Sequence, residues 1–296
     1  MKPALKWIVP LIFFLTLVAC VAGLMPAEGS SFPLVTFRGE AVTIHGRGLY
    51  AWDTVSSVAQ MQANDFVMLI LGLPMLAVSF IMAWRGSLRG RLMLGGVLGF
   101  ILYTYITMCF GAQYNALFLV YVALFSLSLF AFVLVLMSFD LQELAAHFSE
   151  GLPRGWIAGT LFFAAAFLTF AWLGRILPTL DLSPAGWQRG GIRGVPTLEN
   201  TTSLFIQAMD LAIVVPACVL SGFLLLRRSA WGYLLTSVGL VKFMTLGISV
   251  SLMGVNMARV GTADSLPLVA TFGGLALVVL WMTILLFRNI SEEGSF

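Results

Sequence analysis

The chain alternates long apolar runs with short polar turns, and each run has the length of a membrane-spanning helix. A span needs about 20 mostly apolar residues. The predicted spans lie at residues 6–24, 65–84, 92–110, 116–138, 156–177, 204–226, 233–255 and 265–288. Lipid offers backbone groups no hydrogen-bond partner, so each run is predicted to be an α-helix. Such long continuous runs exclude a transmembrane barrel, whose strands are shorter and alternate. We therefore predict an all-α, polytopic membrane helical bundle with eight transmembrane helices.

Part of this pattern recurs later in the chain. A spacing of 142 residues, without a gap, separates two sets of matching residues. The match pairs Pro74, Ser79, Arg85, Ser87, Gly90, Leu92 and Leu98 with Pro216, Ser221, Arg227, Ser229, Gly232, Leu234 and Leu240. We predict two four-helix repeats, 1–150 and 151–296, which share one orientation because each contains an even number of spans, as in transporters with parallel repeats. A weaker, gapped match aligns Gln62 to Asp65 with Gln207 to Asp210 and would make Asp65 and Asp210 equivalent.

The two predicted repeats differ in the loops that follow their first helices. Residues 34–45 alternate apolar and polar positions around a glycine-containing turn, a pattern typical of a β-hairpin. We predict a small extracytoplasmic hairpin after the first helix. The corresponding loop of the second repeat, 178–196, is rich in proline and glycine without such alternation. We expect that loop to be irregular.

Composition places most of the surface in lipid. The chain is 60% hydrophobic and 10% charged, with a mean hydropathy of +0.99, whereas soluble domains carry about 25% charged residues. The net charge of +3 is spread out and forms no basic stripe, which excludes a nucleic-acid binder. Two histidines and three scattered cysteines argue against a histidine-ligated haem, a transition-metal site or a thiol oxidoreductase. We therefore predict no cofactor, no metal site and the lipid bilayer as the main partner.

The arginines and lysines predict the orientation. With a cytoplasmic N-terminus, nine of these residues lie inside and six outside, and the 85–91 turn carries three arginines. The sequence thus favours a bacterial inner-membrane protein with both termini in the cytoplasm. An alternative stays open, because Lys2, Lys6 and an apolar run ending at Cys20 resemble a bacterial lipoprotein signal. Cleavage there would leave seven spans and a lipidated N-terminus outside.

Lys242 is the most conspicuous polar residue of the apolar runs. It lies about nine residues, or roughly 14 Å, into the seventh span. A lysine at such a depth costs about 2.5–3.5 kcal/mol to insert and needs a partner. Asp210 on the neighbouring sixth span is the predicted partner. The pair is either a structural ion pair that locks two helices or a titratable pair on a proton or solute path.

Further polar residues cluster at the outer ends of the spans. Arg47 precedes Asp53 at the same spacing at which Arg193 precedes Glu199. Each pair is interpreted as a salt bridge that fixes a loop turn, or as part of a charged vestibule that recognises a polar ligand. The candidate outer-mouth residues are His45, Arg47, Asp53, Gln62, Asp65, Arg193, Glu199 and Gln207.

These observations favour a transporter or channel for a small solute or ion, with proton coupling as one form of it. The alternative is a receptor or structural subunit that binds a protein partner through its outer loops. An enzyme is less expected, because the chain has no P-loop, no H-E-x-x-H and no Rossmann glycine pattern. A water-wide cavity that reaches Asp210 and Lys242 would favour transport. A dry core with an exposed apolar outer cap would favour partner binding.

Overall fold

A computed structural model describes residues 2–37, 39–188, 190–192, 198–262 and 266–292. Within these residues, eight helices are long and apolar enough to cross a membrane, as predicted. They are α1 (Leu5–Leu24), α2 (Val55–Trp84), α3 (Leu88–Phe110), α4 (Phe118–Leu136), α5 (Arg154–Ile176), α6 (Phe205–Leu226), α7 (Ala230–Arg259) and α8 (Leu266–Arg288). Because this number is even, both chain ends lie on one side of the bundle, here called the terminal side. The opposite side is called the hairpin side.

Helices α2 and α7 extend further towards the hairpin side than predicted. Helix α2 begins at Val55, where Thr54 accepts a 3.1 Å hydrogen bond from the backbone of Ser57 and caps the helix. The first turns of α2 are too polar for a hydropathy pattern to include them. Helix α7 provides partners for two groups in this segment: the Ser249 hydroxyl donates to Asn64 Oδ1 (2.7 Å), and the Asn256 side-chain amide donates to the Ala59 carbonyl (2.8 Å).

The first four and the last four spans each pack as a group. Helix α1 contacts α2 and α4, and α3 packs between α2 and α4. In the second group α6 packs against α5 and α7, and α7 packs against α8. Helix α7 also lies along α3 and α2, so it forms most of the seam between the two groups.

Glycines in α3 allow α7 to approach closely. A Cβ atom added at Gly96 would overlap the Val241 side chain and lie 2.8 Å from the Val238 carbonyl oxygen. A Cβ atom at Gly95 would lie 3.0 Å from a methyl group of Val238. Small residues at a helix interface permit such contact in membranes, which agrees with the predicted role of these glycines.

Replacing Gly96 by alanine is expected to lower the free energy of unfolding by about 1–3 kcal/mol, because the new methyl group forces α3 and α7 apart. Equilibrium unfolding in mixed detergent micelles measures the change. Gly159→Ala is the matched control, since no atom outside its own helix lies within 4 Å of an added Cβ atom there. Equal stability of the two variants would show that the seam is not closely packed at Gly96.

Helices α2 and α6 each contain one π-helical turn followed by a proline. The π turns are Met68–Gly72 and Asp210–Val214, and Pro74 and Pro216 follow them at the second position of the next α-helical segment. Both helices therefore depart from the regular α-helix just before the matching prolines. Counted from the π turns, Asp210 corresponds to Met68, and Asp65 corresponds to Gln207. This register does not support the gapped match between Asp65 and Asp210.

The turns after α2 and α6 have the same backbone path. Gly86 has a φ of 96° and Arg228 a φ of 54°, so both occupy the left-handed region at equivalent places. Ser87 and Ser229 then form the N-caps of α3 and α7. Gly90 and Gly232 each lie where an added Cβ atom would strike the backbone of the preceding helix. The two turns thus share one local geometry, and the predicted duplication stays a prediction.

A small two-stranded antiparallel sheet lies where the hairpin is predicted. Strand β1 (Phe32–Val35) pairs with β2 (Ala41–Ile44), with Phe32 opposite Ile44 and Val35 opposite Ala41. The prediction of a wholly irregular second loop is wrong. That loop contains a 3-10 turn at Leu177–Thr179 and a short helix at Pro184–Trp187, while residues 189 and 193–197 lie outside the described residues.

On the terminal side, the end of the chain folds back onto the bundle. The Glu292 carboxylate accepts hydrogen bonds from the backbone of Leu88 (2.7 Å) and Arg89 (3.2 Å) and so caps α3. Partial burial raises the pKa of Glu292, but these two bonds and a third from the Ser87 hydroxyl hold that pKa below its usual value.

The segment between α4 and α5 contains only a short helix, Leu141–Leu144. Beyond this helix, the His147 ring forms a 2.8 Å hydrogen bond with the Ser291 carbonyl.

Candidate functional site

Lys242 lies inside the seam between the two groups of spans. Its side chain is 9% exposed and passes Gly99 of α3, where an added Cβ atom would lie 3.7 Å from its Cγ. The Nζ atom lies 4.2 Å from the centre of the Tyr103 ring and 4.8 Å from that of Phe243. Gly99 and Tyr103 are one helical turn apart on α3, and both contact the lysine side chain. The Nζ atom is buried and has no hydrogen-bond partner among the described residues.

Asp210 lies on α6 at the start of its π turn, close to the same tyrosine. Its Oδ1 atom accepts a hydrogen bond from the Tyr103 hydroxyl (2.9 Å), and its Oδ2 atom accepts one from Trp172 Nε1 of α5 (2.9 Å). Tyr103 therefore contacts the ammonium through its ring and the carboxylate through its hydroxyl. Together Asp210, Lys242, Tyr103 and Trp172 are called the central cluster.

The central cluster differs in geometry from the predicted ion pair. The structure brings Lys242 and Asp210 into one cluster, but Nζ has no hydrogen-bond partner and the carboxylate is bonded by Tyr103 and Trp172 instead. Sequence reasoning missed Trp172 and interpreted Tyr103 as a packing residue. The available signal was that each is an aromatic residue with a polar tip in a span, and such a tip seeks a partner when it is buried.

A second buried carboxylate lies in the first group of spans. Asp65 of α2 is 3% exposed, and its Oδ2 atom accepts a hydrogen bond from the Tyr50 hydroxyl (2.8 Å). The thiol of Cys20 on α1 also bonds this carboxyl, and its Sγ atom lies 4.0 Å from the Tyr105 hydroxyl. Gly23 leaves room for the contact, because an added Cβ atom would overlap Asp65 and lie 2.6 Å from the Tyr50 oxygen.

A cavity of about 260 Å³ opens on the hairpin side directly beside this carboxylate. Its lining includes three of the predicted outer-mouth residues, His45, Arg47 and Gln62, together with Tyr50. Burial, and to a lesser extent Arg47, lowers the pKa of His45. Gln62 donates a 3.4 Å hydrogen bond to the Gly23 carbonyl. Tyr50 thus joins a polar, open cavity to Asp65.

Of the other outer-mouth candidates, Glu199 joins the two groups of spans, whereas Asp53 is bonded within the first group. Asp53 is 1% exposed; its Oδ1 atom accepts a 3.0 Å bond from the Gln113 backbone, and its Oδ2 atom has no partner. The predicted salt bridge between Arg47 and Asp53 is therefore not formed. Glu199 accepts hydrogen bonds from the hydroxyls of Thr54 and Ser57 (3.4 Å to the latter).

Two further candidates are Arg193 and Gln207. Arg193 lies outside the described residues, so its predicted pairing with Glu199 stays a prediction. Gln207 is buried in α6, one turn before Asp210. Within the described part of the chain, no group of three histidine, cysteine or carboxylate side chains could hold a metal ion.

Access to the central cluster distinguishes the two predicted functions. Lys242 lines neither the hairpin-side cavity nor a second, apolar groove of about 240 Å³ between α1 and α2. In contrast, the hairpin exposes large apolar side chains: Val35 is 67% and Phe37 76% exposed. By the criterion stated above, a central cluster outside both cavities together with an exposed apolar cap favours partner binding in this conformation. Transport through the cluster would require the seam to open.

Comparisons with protein-family models, with curated proteins and with solved structures find no match to this chain. What can be stated of its class therefore comes from the fold and the two carboxylate sites. They define a multi-pass helical membrane protein with ionisable side chains buried between its spans.

Proposed function

We propose that the protein moves a small polar solute or an ion across the membrane, and that the central cluster lies on its path. The observation that carries this proposal is the buried Lys242 ammonium without a hydrogen-bond partner. A charge inside a membrane bundle costs about 2.5–3.5 kcal/mol on insertion scales. A purely structural role would use the three N–H donors to lock helices together. Donors that are buried and unused are instead suited to a solute or ion that visits the site.

The location of the cluster supports the same proposal. Lys242 projects from α7, the helix that forms most of the seam. We interpret the two groups of spans as duplicated units, supported by the equivalent π turns, prolines and left-handed turn residues. Movement of one unit against the other would open and close the seam around Lys242, as in transporters built from repeats.

The proposed location is a bacterial inner membrane with both termini in the cytoplasm. The arginine-rich turns after α2 and α6 lie on the terminal side, which the distribution of positive charge would place inside. Cys20 is 1% exposed and packed within the first group of spans, which weighs against the alternative of a lipidated N-terminus at this residue.

Reconstitution into liposomes tests the proposal. Stopped-flow light scattering would follow the entry of small carboxylates, amino acids and neutral solutes, and a trapped pH dye would follow protons. We expect wild-type vesicles to exceed empty vesicles, and Lys242→Met to lose about tenfold or more of that flux, equivalent to about 1.4 kcal/mol or more. Lys6→Met, which changes an exposed lysine near the N-terminus, is the control. Equal flux in wild-type, Lys242→Met and empty vesicles would remove the transport proposal.

A second candidate is a non-transporting subunit that binds a protein partner through the hairpin side. The exposed apolar residues of the cap, including Leu34, Val35 and Phe37, favour it. Replacing these three residues by serine should then disrupt a native complex, measured as a smaller species on a native gel of solubilised membranes. A transporter without such a partner would keep both its size and its flux in this variant.

A further inference from the structure

We propose that Asp65 is a proton-binding site, loaded from the hairpin-side cavity through the Tyr50 hydroxyl. The use of the bound proton to drive solute movement rests on the proposed transport function, whereas the binding itself does not. The inference identifies the class of the coupling ion as a proton. On α2, the residue equivalent to Asp210 is Met68, since each of the two begins a π turn. Asp65 lies about one helical turn nearer the hairpin side than Met68, so the proposed coupling site is displaced by that distance.

The surroundings of Asp65 favour the neutral carboxylic acid. The titratable groups that face it are Tyr50, Cys20 of α1, Tyr105 of α3 and Tyr121 of α4. All four are uncharged in their usual forms, and among the described residues no cationic group forms a salt bridge with Asp65. An ionised carboxylate in such a place has a hydroxyl donor but no cation to offset its lost hydration, so a proton is the simplest ion to neutralise it.

Asp210 has surroundings of the opposite kind. It accepts two hydrogen bonds, from Tyr103 and Trp172, and the Lys242 ammonium lies over the ring of the same tyrosine. Asp210 therefore has two neutral donors and a nearby ammonium, whereas among the described residues Asp65 has a hydroxyl donor and no cation beside it.

The cavity supplies the route to Asp65. Tyr50 lines the cavity, and its hydroxyl donates a 2.8 Å hydrogen bond to Asp65, so this one residue connects the open cavity with the buried oxygen. When Tyr50 gives its proton to Asp65 Oδ2, its oxygen takes a proton from a water molecule in the cavity. One O–H bond forms and one breaks at the tyrosine, the carboxylate becomes a carboxylic acid, and a hydroxide ion remains in the cavity water.

The backbone at Gly23 holds this route open. A side chain at this position would overlap Asp65 and lie 2.6 Å from the Tyr50 oxygen at its first carbon, so glycine is required for the contact. Gln62, which also lines the cavity, donates to the Gly23 carbonyl and fixes this segment of α1 against α2. Gly23 therefore lines the cavity and also leaves the space in which Tyr50 and Asp65 form their hydrogen bond.

Infrared difference spectroscopy of the full chain in nanodiscs tests the proposal. As the pH is varied, a protonated buried carboxyl gives a C=O band that its ionised form lacks. All variants carry Asp53→Asn, because Asp53 is a second buried carboxyl on the hairpin side. We expect Asp53→Asn alone to show this titrating band and the double variant Asp53→Asn/Asp65→Asn to lose it. Adding Tyr50→Phe instead of Asp65→Asn should keep the band but slow its appearance after a pH jump by about tenfold or more, since a proton relay is removed. Persistence of the band in Asp53→Asn/Asp65→Asn, or its absence from Asp53→Asn alone, would overturn the assignment.

The same samples show whether the site binds a proton or sodium. They also separate failure of the Asp65 assignment from failure of the transport proposal. A band whose titration midpoint moves with sodium concentration would overturn the proton assignment in favour of sodium. The band can be measured without any flux, so its presence in a protein that moves no solute would leave the Asp65 site intact while the transport function failed. Where flux is found, Asp65→Asn should abolish its response to a pH gradient but retain solute exchange; an unchanged response would contradict the coupling.

Discussion

Replacing Asp210 by asparagine is expected to lower the free energy of unfolding by about 3–5 kcal/mol, because it leaves a buried charge without its counter-charge. Asparagine keeps the size of the side chain and an acceptor for Tyr103 or Trp172. What it removes is the negative charge near Lys242, whose Nζ atom has no hydrogen bond to replace the lost attraction. Equilibrium unfolding in mixed micelles, followed by tryptophan fluorescence, would measure the change.

Adding Lys242→Met to this variant is expected to restore most of the lost stability, because no unpaired charge then remains in the seam. Methionine fills much of the volume of the lysine stem beside Gly99. The double variant should be nearly as stable as wild type or more stable, as when buried ion pairs are replaced by apolar residues. The coupling energy from the complete double-mutant cycle is the quantity to compare.

The matched control is the same lysine change combined with Asp65→Asn. Asp65 lies in the separate cluster with Tyr50 and Cys20 and shares no contact with Lys242. The two changes should therefore add within about 0.5 kcal/mol. Additive effects in the Asp210 cycle as well would show that Lys242 and Asp210 are not coupled, and the central cluster would then lose its electrostatic basis.

The spans were predictable from sequence because lipid imposes a simple rule on the backbone. Continuous apolar runs must be helical, and the prolines and glycines within them mark where the helix deviates or allows close contact. The beginning of α2 was missed for the converse reason. Residues 55–64 are polar, and they are helical because the end of α7 provides partners such as Ser249 and Asn256. Hydropathy along one segment contains no information about that partner.

The candidate site was predictable in part for a similar reason. The insertion cost of Lys242 is a property of one residue and its depth, so the sequence singles it out. Trp172 could not be assigned, because its bond to Asp210 depends on how α5 packs against α6. Tyr50 lies outside the predicted spans, yet it carries the bond to Asp65. The gapped match between Asp65 and Asp210 resembled an equivalence, but the π turns set a different register.

The protein is expected to lose stability as the pH rises from about 4 to about 7, with Asp53 as a main source of the loss. Burial, assisted by Glu199 and opposed by the Gln113 backbone bond, raises the pKa of Asp53 from 3.8 to about 7. A group whose pKa is higher in the folded state contributes stability that is fully present below its unfolded pKa and is lost as the pH rises through the folded value. A rise of about three units corresponds to a loss on the order of 4 kcal/mol.

Asp53→Asn isolates this contribution, because asparagine keeps the Oδ1 acceptor for Gln113 and cannot ionise. The difference in unfolding free energy between wild type and the variant, measured from pH 4 to pH 8, should favour the variant increasingly as the pH rises. Glu292→Gln is a control for which the pH dependence of stability should have the opposite sign. Because the pKa of Glu292 is lowered, its contribution to stability is present at neutral pH and is lost only as the pH falls into the acid range. If the difference in unfolding free energy between wild type and Asp53→Asn stayed constant from pH 4 to pH 8, the pKa of Asp53 would not be raised by burial, and the prediction would fail.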